Sequence, residues 1–149
     1  MEEVIVQEIE RKKKSLKRYK RNCDCIERLE EKLFMLDERL KSVRSPNISG
    51  MPRSTNHVSR EELLSDKIDL EERIKRLKEK NRNLKSEILN EIDSLDDPRY
   101  CEVLESFFID RLTIEEIADV NGYTIRHTYR LYLEGIKLLS LNCHKQDIT

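Results

Sequence analysis

The residues best suited to chemistry lie near the end of the chain. Arg126 and Arg130 stand one helical turn apart, with His127 and Tyr129 between them and Ile125 just before, directly after Thr124. Arginine carries a planar fork of N–H donors that pairs bidentately with guanine. Thr124, with the free N–H groups of a helix start, can hold a phosphate oxygen. The chemistry on offer is recognition of double-stranded DNA rather than the making or breaking of bonds. No Gly-rich phosphate loop and no nucleophile–base pair accompanies these residues, so neither an enzyme nor a cofactor is expected.

Such a face is useful only if a fixed framework presents it. Thr113-Ile114-Glu115-Glu116-Ile117-Ala118-Asp119-Val120 opens with a capping box, in which a hydroxyl and a third-position carboxylate satisfy free backbone N–H groups. Asn121-Gly122-Tyr123 reads as a turn, and Thr124 caps a helix running to about Leu139. A helix-turn-helix needs a small residue where its helices touch, which Ala118 supplies. Four residues on it needs one tolerant of positive φ, which Gly122 supplies. Ile117, Tyr123, Thr128 and Leu131 then point inward. Ile125, Arg126, His127, Tyr129 and Arg130 point outward, where a recognition helix reaches base edges in the major groove. Thr113, opening the preceding helix, joins Thr124 in the expected DNA-contacting set. A plain helical bundle with surface arginines would leave the placing of Ala118 and Gly122 unexplained, and His127 alone would signify nothing. Gly135 costs helix stability and marks a bend or a close approach. Upstream, Asp97 caps and Pro98 starts a helix to about Ile109, with Val103, Leu104, Phe107 and Phe108 as its apolar face.

The rest of the chain is built differently. Charged residues make up 40% of the 149 and aromatic residues 5%, with no Trp and three Gly, which suits long helices that bury one stripe. Ile26, Leu29, Leu33, Leu36, Leu40 and Val43 form a heptad seam, preceded by Leu16, Tyr19 and Cys23 in a shifted register. A second seam runs Leu63, Lys67, Leu70, Ile74, Leu77, Asn81, Leu84, Ile88, Glu91, Leu95, where a buried Asn81 would fix register. Between the seams, prolines, Gly50 and small polar residues at 45–58 permit a reversal, and Ser59-Arg60-Glu61-Glu62 is a capping box. The expected fold is all-α: a long antiparallel coiled-coil hairpin followed by a small helix-turn-helix domain. Its parts are a first arm at 1–44, a loop at 45–58, a second arm at 59–97, the helix-turn-helix at 98–141 and a tail at 142–149. The same stripes also predict pairing between chains, hence a homo-oligomer.

Charge is unevenly spread although the formal net charge is only −1. Residues 1–58 hold 14 basic against 10 acidic groups, whereas residues 98–149 hold 6 against 8. Within the first block Arg11, Lys12, Lys13, Lys14, Lys17, Arg18, Lys20 and Arg21 form a dense run. It reads either as a solvated face paired with the acidic second arm or as a phosphate contact. Cys23, Cys25, Cys101 and Cys143 lack the repeated spacing of a zinc site, so no metal is expected. With no signal-peptide pattern and no apolar run long enough to span a bilayer, the expectation is a reduced, cytoplasmic protein with no membrane partner.

Residues 100–139 resemble region four of bacterial sigma factors, through Thr113-Ile114-Glu115-Glu116-Ile117-Ala118 followed by Thr124 and its helix. The order of parts, with the loop Ser45-Pro46 to Ser49-Gly50-Met51-Pro52-Arg53, resembles the ArpU/RinA-type regulators of late gene transcription in phages of Gram-positive bacteria. This resemblance implies a phage activator working with host RNA polymerase. It implies Thr124 as the phosphate-contacting cap and Arg126, His127, Tyr129 and Arg130 as the promoter-reading face. Two residues depart from the pattern: Asn121 stands where an apolar residue is usual, with Val120 expected to take over its packing, and Thr128 stands for Val or Ile, weakening the core. A complete sigma factor is not expected, since residues 1–97 hold only Tyr19 and Phe34 as aromatics to capture unstacked bases. The competing readings are a DNA-packaging recognition subunit and a coiled-coil protein that binds polymerase or another regulator instead of DNA.

Overall fold

The computed structural model describes residues 2–43 and 59–147. It is all-α, with five helices among those residues: α1 (Glu2–Val43), α2 (Arg60–Asp93), α3 (Pro98–Phe108), α4 (Ile114–Asn121) and α5 (Ile125–Asp147). The reversing loop read at 45–58 lies outside the described residues. α5 continues about two turns past Leu139, and Gly135 does not stop it.

Caps set the helix boundaries. The Ser59 hydroxyl accepts from the Glu62 N–H at 3.2 Å and opens α2. α2 closes with the Ser94 N–H on the Glu91 carbonyl and the Leu95 N–H on that of Ile92. Asp97 then accepts from the Arg99 N–H at 2.9 Å, with Pro98 at the start of α3, where its missing N–H costs nothing.

The chain divides into two compact units: residues up to 22 together with those from 81 on, and residues 23–80. In the second unit α1 and α2 run antiparallel. Ile26, Leu29 and Ile74 are buried together, with Cys25, Leu33, Leu70 and Leu77 packed around them. Lys67 reaches Asp37 at 2.9 Å and Lys78 reaches Glu30 at 2.6 Å. The α2 partner thus moves back along its helix as the α1 partner moves forward, so the polar Lys67 of the second seam pairs across the helices. Phe34, Met35, Leu64 and Ile68 of this unit remain exposed.

In the first unit the start of α1 and the end of α2 share one core with α3, α4 and α5. Leu16, Leu84, Ile88, Ile92 and Leu95 are buried with Val103, Leu104, Phe108, Ile117, Leu131, Ile136 and Leu139. Glu91, another polar seam member, pairs with Lys12, and Asn81 is buried. Each fully buried aliphatic side chain contributes roughly 1.5–3 kcal/mol, so the helix-turn-helix draws much of its stability from outside itself. None of the described helices is long and apolar enough to cross a membrane.

Candidate nucleic-acid interface

The interface is set by the α4–α5 corner. The Thr113 hydroxyl accepts from the Glu116 N–H at 3.2 Å and starts α4. α4 ends at Gly122, whose φ of 68° and ψ of 28° lie in the left-handed region, as the sequence required. The Tyr123 N–H closes the turn on the Ala118 carbonyl at 2.9 Å, and Ala118 is buried where the helices meet. Thr124 begins α5, accepting from the His127 N–H at 3.1 Å. The threonine proton remains free to donate outward, so this hydroxyl can cap and hold a phosphate at once.

The underside of α5 is anchored. Leu131, Tyr132, Ile136 and Leu139 are buried, and so is Thr128. Thr128 donates its hydroxyl to the Thr124 carbonyl at 2.9 Å, so its oxygen is not stranded in the core. Gly135 is a close approach: a Cβ there would come within 2.9 Å of Leu104 Cδ1. One expectation is overturned at the turn. Val120 does not replace the packing of Asn121; it is 75% exposed, while Asn121 is half-buried. Asn121 occupies the last position of α4, where the chain is already leaving the core for the Gly122 turn.

On the outer face, Ile125, Arg126, Tyr129 and Arg130 are exposed together. Their spacing sets an apolar group, two guanidinium forks and a phenol along two turns of helix. His127 differs from them, being half-buried with its ring edge-on to Tyr123 at 5.0 Å. Thr113 is exposed but lies at the start of α4, with its oxygen engaged in the cap.

Contacts from α3 and α1, between residues far apart in the chain, support this face. Glu134 accepts from the Tyr100 hydroxyl at 2.9 Å and approaches Arg130 Nε at 3.4 Å, so α3 steadies a carboxylate beside the second guanidinium. That hydrogen bond, followed by burial, raises the Tyr100 phenol above its ordinary value. Tyr132 packs on Phe107 at 4.7 Å and Tyr129 at 6.0 Å between centroids, and burial pushes its phenol up to about 12, with Tyr129 and Glu10 adding to the rise. Lys13 of α1 lies over the same ring, 5.9 Å from its centre. Arg111, in the α3–α4 connection, adopts φ 61° without being glycine.

Among the described residues, no three His, Cys, Asp or Glu side chains converge in a way that would hold a metal ion. Comparison with known proteins returns no matching family model, no matching curated protein and no matching solved structure.

Proposed function

We propose that this chain is a sequence-specific, duplex-DNA-binding transcription regulator whose α5 enters the major groove. The observation that carries the reading is the corner itself. A left-handed Gly122 and a buried Ala118 turn α5 so that one side is locked into the core while Ile125, Arg126, Tyr129 and Arg130 stand outward. Arg126 and Arg130 read guanine edges, Ile125 meets thymine methyl groups, and Thr124 with the α5 start takes a phosphate. The likeness to sigma region four and to the ArpU/RinA-type regulators extends this to a phage late-gene activator that recruits host RNA polymerase in the cytoplasm. The exposed apolar residues of the 23–80 unit suit self-association into a homo-oligomer.

A second reading has an observation in its favour. Val120, Ile125 and Tyr129 are large apolar or aromatic side chains left exposed, which also suits a protein partner such as polymerase.

Selection from a random-sequence duplex pool separates the two. The intact chain is expected to enrich one motif, and the Arg126→Ala/Arg130→Ala variant to enrich none while keeping its helical content. A pool left unenriched by the wild-type chain would overturn the DNA reading in favour of the protein partner.

A further inference from the structure

α1 carries eight cations between positions 11 and 21, with no carboxylate between Glu10 and Asp24. Lys12 pairs with Glu91, and Lys13 bonds Glu10 while covering Tyr132. Arg18 donates to Ser15 and Arg21 to the Lys14 carbonyl, but neither meets a carboxylate, so both keep an uncompensated charge. Arg11, Lys14, Lys17, Arg18, Lys20 and Arg21 are exposed. Cations three and four residues apart on a helix repel, each pair costing about 0.2–0.5 kcal/mol. The spacing 14, 17, 18, 21 repeats that clash, so the chain carries a self-repelling ridge along this face of α1.

Position gives the ridge its meaning. Lys13 touches Tyr132, which in turn packs on Tyr129 of the outer face of α5, and all of these belong to one compact unit. Lys17 and Lys20 follow Lys13 along the same side of α1, four and then three residues on. The helix-turn-helix meanwhile is short of positive charge. Residues 98–149 carry 6 basic against 8 acidic groups, and α4, which in this motif crosses the DNA backbone, presents Glu115, Glu116 and Asp119. Phosphate contacts supply most of the affinity of such proteins, so here the cations must come from another element.

We infer that the exposed cations of α1 form a phosphate-binding ridge that grips the backbone of the same DNA duplex that α5 reads. This rests on the DNA-binding reading above and deepens it. Eleven helical residues span about 15 Å, a length that along the duplex axis takes in about four phosphates of one strand at about 3.4 Å of rise each. α5 then provides selectivity and α1 provides sequence-independent hold.

The test measures the affinity of the intact chain over a range of salt concentrations, for its selected duplex and for a mixed-sequence duplex. Replacing Lys14, Lys17, Lys20 and Arg21 by Gln is expected to weaken binding to both duplexes at least about tenfold. The log–log salt slope should become shallower by about 3–4, close to 0.9 per phosphate contact removed. Interchanging Lys and Arg at those four positions should leave the slope intact, which separates charge from packing. Arg126→Ala/Arg130→Ala should instead abolish discrimination between the duplexes and retain most of the slope. A Gln variant that stays folded and binds both duplexes with unaltered affinity and slope overturns the ridge alone. A wild-type chain that selects no sequence overturns the DNA reading, and the ridge with it.

Discussion

Two glycines in the C-terminal helices do opposite work, and substitution tells them apart. Gly122 sits at φ 68° with nothing within 4 Å of where a Cβ would be, so its role is conformational. Gly122→Ala should destabilise the protein by about 1–2 kcal/mol, and Gly122→Asn by less, because Asn tolerates the left-handed region. Gly135 is ordinary helix, and Ala there would add about 1 kcal/mol by propensity alone. A Cβ would meet the side chain of Leu104, which is fully buried and has little room to withdraw. Gly135→Ala should therefore be destabilising on balance, since over-packing typically costs about 1–3 kcal/mol. Urea denaturation of the three variants checks all of this. A more stable Gly135→Ala protein, or an Asn variant worse than Ala at 122, would contradict the reading of these sites.

Residues whose role depends on neighbours in the chain were the legible ones. The Ser59, Asp97, Thr113 and Thr124 caps, the left-handed Gly122 and the apolar underside of α5 all follow from short spacings, because hydrogen bonds across three residues and helical periodicity are local. Arg111 at positive φ has no such signal, since neither Gly nor Asn marks the turn. Tyr132 under Lys13, and Tyr100 with Glu134, join residues far apart in sequence, and only tertiary packing brings them together. The division into arms and a terminal domain followed the same local logic. The core instead binds the ends of α1 and α2 into one unit with α3, α4 and α5. Joining Asn22 to Asn81 by a short flexible linker, with 23–80 removed, should yield a cooperatively folding protein. Residues 98–149 alone should be largely unfolded, because Leu16, Leu84, Ile88, Ile92 and Leu95 leave the core with the deleted segments. Thermal melts followed by circular dichroism decide it: a sharp transition in the short fragment, or none in the linked one, would contradict this account.

For the molecule as a whole, a net charge of −1 conceals a segregation that suits its proposed work. Cations gather at positions 11–21 of α1 and at the start of α5, while α4 presents Glu115, Glu116 and Asp119. An acidic background weakens casual binding to nucleic acid, leaving contact to the few places where positive charge is concentrated. The reading face is built from residues of the first unit alone: Thr124, Ile125, Arg126, Tyr129 and Arg130. The central claim is that α5 reads base edges in the major groove, and methylation interference on the selected duplex tests it most directly. Methylating guanine N7, which lies in the major groove, should block binding of the wild-type chain at one or two guanines, and that interference should vanish in Arg126→Ala/Arg130→Ala. Binding indifferent to N7 methylation, or blocked only by minor-groove modification, would contradict the account.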